Sequence, residues 1–183
     1  MVSFQRRLLA AVVALSLEFL TAVPAQAAAP AAPAAPRDAV IAQWGTDEPV
    51  DNEQYYFVLP DRFANGSKAN DKGGLTGDRL ATGLDPADKG FYHGGDLAGV
   101  IDKLDYIQGL GTTAIWLAPV FKNRPVQGSG ADVSAGYHGY WITDFTRVDP
   151  HFGTNADLER LVRLAHRRGM KIYLDIIVNT PPT

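Results

Sequence analysis

The sequence predicts an α/β fold, the first three strands and two helices of a partial (β/α)8 TIM barrel. Short β-branched and aromatic runs alternate with amphipathic stretches in the order β-α-β-α-β, the pattern of parallel strands joined by right-handed crossovers. The connections leaving the first two strands are each roughly thirty residues long, against about 4–6 for usual connections. The returns from helix to strand are only a few residues. Long loops at the C-terminal ends of strands and tight turns at the other end are the layout of a barrel enzyme.

The opening of the chain precedes this fold. Arg6 and Arg7 give a positive start, Leu8 to Phe19 is almost wholly apolar, and Ala25-Gln26-Ala27 offers the small-x-small pattern that signal peptidases cut. Residues 1–27 are therefore expected to be a signal peptide, with the protein secreted and no membrane partner after cleavage. Residues 28–39 are mostly Ala and Pro, a spacer composition that buries nothing. Residues 40–183 are assigned to the barrel. The chain has no cysteine, so packing or a metal must supply any staple.

Three segments read as strands: Gln54 to Leu59, Thr113 to Leu117 and Lys171 to Val178. The second and third are apolar at nearly every position, as expected for strands covered on both faces. Between them, Leu97, Ile101, Leu104, Ile107 and Leu110 recur at helical spacing, and Gly111 is placed to end that helix. Leu158, Leu161, Leu164 and Ala165 form the stripe of a second helix. Thr154 with Asp157 forms its expected capping box, and Gly169 its stop.

A net charge of -3 with scattered basic residues excludes a nucleic-acid partner. A dinucleotide fold would place Gly-x-Gly-x-x-Gly between the first strand and a helix, and no such turn occurs there. Asp175 lies within an apolar strand, where a carboxylate requires a partner. It reads equally as a satisfied structural group or a site residue. Asp61, followed by Arg62, reads as a loop-anchoring ion pair.

Tyr137-His138-Gly139-Tyr140-Trp141 concentrates rings with polar tips, which suits either sugar stacking or a buried aromatic cluster. Asn65, Ser67, Asn70, Asp71, Gly94 and Asp96 supply oxygens of the kind calcium takes, and are equally the residues of ordinary turns. Asn65-Gly66-Ser67 is also a glycosylation sequon.

From Gln54 to Asn179 the segments, taken in order, resemble the α-amylase family of glycoside hydrolases, family 13. The resemblance is carried by YYFVLPDRFANG, by FYHGGDLAGVIDKLDYIQGLGTTAIWLAPV and by GYHGYWITDFTRVDPHFGTNADLERLVRLAHRRGMKIYLDIIVN. It is nearest to extracellular amylases and cyclodextrin glucanotransferases. It implies retaining hydrolysis of α-glucosidic bonds in starch or maltodextrin, with an α-glucan or maltooligosaccharide as partner. Tyr140 would stack under the sugar beside the scissile bond, with His138 and Trp141 lining that subsite. Asn65, Ser67, Asn70, Asp71, Gly94 and Asp96 would form one Ca2+ site, with Ser67 where Asn is more usual. Asn179 would join a second Ca2+ site, and Asp175 would support the active site without being its nucleophile.

The resemblance also implies that the nucleophile, the acid/base and a third carboxylate follow strands four, five and seven, beyond the third strand read here. The chain as given is accordingly expected to lack the catalytic carboxylates and to be inactive. A transglycosylase or isomerase parent, or a calcium- or glucan-binding fragment, remains an alternative. The family motif reads Asp-x-x-x-Asn-His, whereas Thr180 follows Asn179. Loss of one C from AAC CAC ACC GCC GAC would produce the observed Asn-Thr-Pro-Pro-Thr, so a frameshift is expected there.

Overall fold

The computed structural model describes residues 52–178, all within the compact unit Trp44–Thr183. The expected signal peptide, the spacer, the boundary at residue 40, and Asn179 with the residues after it lie outside the described residues. No described helix is long and apolar enough to cross a membrane.

Three strands form the central sheet: β1 (Tyr55–Val58), β2 (Ala114–Leu117) and, last in the chain, β7 (Lys171–Leu174). They pair in parallel in the order β1-β2-β7, with Phe57 opposite Trp116 and Trp116 opposite Tyr173. Because alternate side chains point to opposite faces, Val58, Ile115 and Leu117 share one face and are buried. They pack in one core with Leu97, Val100, Leu104, Ile107, Leu161 and Met170. The other face carries Tyr55, Phe57 and Trp116, with Phe57 49% and Trp116 46% exposed. The expectation that the second and third strands are covered on both faces is therefore corrected among the described residues: Trp116 on the second and Leu174, Ile176 and Val178 on or just past the third are exposed.

Between β1 and β2 lie two single-turn helices, α1 (Pro60–Phe63) and α2 (Arg79–Thr82), and then α3 (Leu97–Asp102) and α4 (Leu104–Gly109). The periodicity predicts one helix across the last two. The structure divides it at Lys103, whose φ of -104 and ψ of 8 leave the helical region while its N–H turns back to the Val100 carbonyl. Leu97 and Ile101 before the break and Leu104 and Ile107 after it all reach the core, so their spacing does not register the interruption, while Leu110 at the end of the predicted stripe is exposed.

The connection from β2 to the last helix is also built. It contains β3 (Phe121–Asn123), β4 (Val126–Gln127), a 3-10 turn at Gly130–Asp132, β5 (Ser134–Ala135) and β6 (Ile142–Val148). β3 pairs with β6 and β4 with β5, both antiparallel.

The last helix, α5 (Asn155–Arg167), matches its sequence signals. Thr154 and Asp157 close a reciprocal capping box, Leu161 and Ala165 are buried, and Gly169 at φ 77 ends the turn. The third strand is shorter than expected. Its ladder stops at Leu174 because its partner β2 stops at Leu117, before Ala118 and Pro119. One further bond, from Asp175 N–H to the Leu117 carbonyl, carries the chain just past the ladder.

Candidate functional site

The sugar-site candidates converge where β7 ends. Tyr140 lies in the turn before β6, and its hydroxyl donates to Asp175 Oδ2 at 2.5 Å. That bond joins a loop residue to the C-terminal end of the third parallel strand. It pushes the Tyr140 phenol up to about 12, with partial burial and the carboxylate charge adding to the effect. Asp175 thus has the partner that an apolar strand demands of it.

His138 stacks on Tyr140 with centroids 5.7 Å apart and meets Trp141 edge-on at 4.7 Å. The Tyr140 N–H donates to His138 Nδ1 at 3.0 Å. That bond assigns Nδ1 as acceptor, so in the neutral ring the proton sits on Nε2. Burial pushes the His138 imidazole below its ordinary value, which favours that neutral donor form. The three rings are each half-buried, so they retain accessible surface.

Two contacts hold this turn in place. A Cβ on Gly139 would collide with the Pro119 carbonyl just after β2, and its φ of 82 also suits glycine. The Trp141 N–H donates to Asn123 Oδ1 at 2.7 Å, and Asn123 N–H donates in turn to buried Asp149. His151 places Nδ1 2.8 Å from Asp149 and Nε2 2.8 Å from the Thr82 carbonyl, and its ring stacks on Tyr92 at 4.0 Å. Sequence reading missed Asn123, Asp149 and this His151 junction. Asp149 and His151 stand two residues apart in one of the quoted segments, but their contacts with Asn123, Thr82 and Tyr92 join positions distant in the chain, which local spacing does not reveal.

Asp61 is buried at the end of β1. It accepts the N–H groups of His93 and Gly94 and pairs with Arg62 at 3.1 Å. Burial pushes its carboxyl up against the lowering effect of those donors and of the Arg62 charge. The expected loop-anchoring pair is present, and Asp61 is committed to it.

The cation-loop candidates also meet. The space left by the missing Gly94 side chain is bounded by Asn65 Nδ2 and Asp71 Oδ1, 2.7 and 2.9 Å from where a Cβ would sit. Asn65 Nδ2 donates to Asp71 Oδ1 at 2.7 Å, and Asn70 Oδ1 is buried without a hydrogen-bond partner. Asp96 takes another role as well. Its Oδ1 accepts from Gly66 and Gly99, and its Oδ2 from Ser67, which caps α3 and fastens the loop to it.

Among the described residues no three His, Asp or Glu groups stand close enough to form a carboxylate- or imidazole-rich metal centre. What the loop brings together is the Asn65 amide, the Asp71 carboxylate and the unpartnered Asn70 Oδ1, hard oxygen-bearing groups of the kind calcium takes and not the sulfur and imidazole set of zinc. Asn179, the candidate for a second cation site, lies outside the described residues.

The family profile described as "Alpha amylase, catalytic domain" matches residues 57–181. An alpha-amylase of Streptomyces lividans is 54% identical over 173 residues, 94% of this chain and 19% of that protein. The chain therefore spans about a fifth of that relative's length. A cyclomaltodextrin glucanotransferase with a three-domain ABC distribution matches with TM-score 0.60 and 42% identity, over 68% of this chain and 25% of the other. The alpha-amylase of Geobacillus thermoleovorans, solved in complex with acarbose, matches with TM-score 0.52 and 47% identity, over 67% and 22%. The β1-β2-β7 sheet with its helical crossovers is the arc of the (β/α)8 barrel that the sequence predicts.

Proposed function

Because this chain belongs to the α-amylase family of glycoside hydrolases, family 13, we propose that it supplies part of the glucan-binding wall of a secreted, retaining α-amylase-type glycosidase. The observation that carries this reading is the Tyr140–Asp175 hydrogen bond. It fixes an aromatic face beside His138 and Trp141 at the end of the barrel where such enzymes build their sites. A flat ring offers a surface for the C–H face of a glucose unit, and the neutral His138 offers Nε2–H to a hydroxyl. The acarbose complex of the Geobacillus relative is consistent with a glucan-like ligand.

Retaining hydrolysis needs a nucleophile and an acid/base about 5 Å apart. Of the carboxylates at this end of the sheet, Asp61 is bound to Arg62 and two N–H groups, and Asp175 is engaged by Tyr140. On this reading a polypeptide of these 183 residues binds maltooligosaccharides through the Tyr140 turn and does not cleave them. Calorimetric titration with maltoheptaose should saturate, Tyr140→Ala should weaken it more than ten-fold, and no reducing sugar should appear. Absence of binding in the folded chain, or glucan cleavage by it, rejects the corresponding half of the reading.

A transglycosylase parent is the second reading, favoured by the 0.60 TM-score to the glucanotransferase. Calcium is proposed for the loop of Asn65, Ser67, Asn70, Asp71, Gly94 and Asp96, where it would supply a positive centre tying the loop to α3. Support for this comes from the unpartnered Asn70 oxygen and the cradle at Gly94. Export rests on the composition of residues 1–27.

A further inference from the structure

Arg62 does more than neutralise Asp61. It sits in α1 immediately after β1, and its side chain is 22% exposed. Its Nε faces Asp61 Oδ2 at 3.1 Å, and its Nη2 donates to the Lys89 carbonyl at 2.8 Å and the Phe91 carbonyl at 2.9 Å. These partners lock the plane of the guanidinium. Its carbon lies 4.0 Å from the centroid of the Tyr137 ring. Tyr137 in turn meets His138 edge-on at 5.2 Å.

A clamped planar cation under an aromatic ring is a rigid platform as well as a favourable contact. We infer that Arg62 is a positioning residue for the sugar-binding turn, setting the orientation of His138 and the rings beside it through Tyr137. The inference rests on the glucan-binding reading of His138, Tyr140 and Trp141. Arg62 touches none of these three rings in the contacts described, so its influence passes through Tyr137. Lysine keeps the charge and three N–H donors, but all three leave one nitrogen, so it has no plane to hold against the ring and cannot reproduce the fork that reaches Asp61 and the two carbonyls from separate nitrogens.

The test uses the 183-residue chain with Arg62→Lys, Tyr137→Leu and the double variant. Each is read by maltoheptaose titration, by the NMR signals of the His138 ring and the Trp141 indole, and by thermal unfolding. Arg62→Lys is expected to weaken binding about five- to ten-fold and to move both sets of signals. Tyr137→Leu, which leaves the Asp61 pair intact, should do the same, and the double variant should be no worse than the stronger single.

Unchanged affinity and unchanged His138 signals in a folded Arg62→Lys chain overturn the inference, as do single losses that multiply in the double. If the parent chain binds no maltoheptaose, the glucan reading falls on its own. The His138 and Trp141 signals then decide the positioning role, moving together in both single variants or not.

Discussion

At the scale of the residue, the Tyr140–Asp175 bond has a consequence for titration. The phenol is raised above its ordinary value of 10 to about 12, chiefly by donating to a carboxylate. A raised folded value means that this contribution to stability is complete below pH 10 and is lost as pH rises through about 12. Asp175→Asn removes the charge and the strong acceptor together, so the Tyr140 titration should fall back toward 10. An NMR titration of the Tyr140 ring signals checks this, and an unchanged midpoint would show that the bond does not govern the phenol. Tyr140 and Asp175 were legible as candidates because one sits in a ring-dense turn and the other interrupts an apolar strand. Their contact was not legible from pattern alone, and neither was the face of Arg62 on Tyr137. Such pairs join positions far apart in the chain, where local spacing carries no information.

At the scale of the element, α5 was readable because several local rules agree within one stretch: a cap, an apolar stripe and a glycine stop. The Thr154 N–H donates to Asp157 Oδ2 at 2.9 Å while Thr154 Oγ1 accepts from the Asp157 N–H. Thr154→Ala removes one arm of that box and should cost about 1 kcal/mol. In urea unfolding this would appear as a lower midpoint with an unchanged slope. A midpoint equal to the parent's would mean that the helix start is held by packing alone. The interruption at Lys103 and the small β3–β6 and β4–β5 pairs had no comparable signal. At Lys103 the apolar spacing continues through the break. The first of the paired segments is organised by Asn123, whose side chain accepts the Trp141 N–H and donates to the Phe121 carbonyl. A side chain that bonds to backbone in this way leaves no periodic trace.

At the scale of the whole molecule, the described sheet has covered and uncovered faces, and its outer strands are β1 and β7. Outer strands carry unpaired backbone groups, and aromatic side chains on the uncovered face add apolar surface to water. Stability gained elsewhere therefore has a large effect on whether the chain stays folded. The long connection from β1 to α3 is tied down by Asp61 at one point and Asp96 at another. A cation seated between Asn65, Asn70, Asp71 and Gly94 would add a third tie, present only in the folded state. Binding to the folded state alone stabilises by about 2.7 kcal/mol when free ligand is a hundred times its Kd. For a domain of this size that corresponds to a rise in Tm of roughly 5–10 °C. Calcium titrated into chelator-treated protein should produce such a rise. Asn70→Ala and Asp71→Ala should abolish it, and magnesium, which needs tighter octahedral geometry, should not replace calcium. If calcium leaves Tm unchanged in the parent chain, the loop is held by Asp96 and the Asn65–Asp71 bond without a metal, and Asn70 Oδ1 is a buried group with no cation to satisfy.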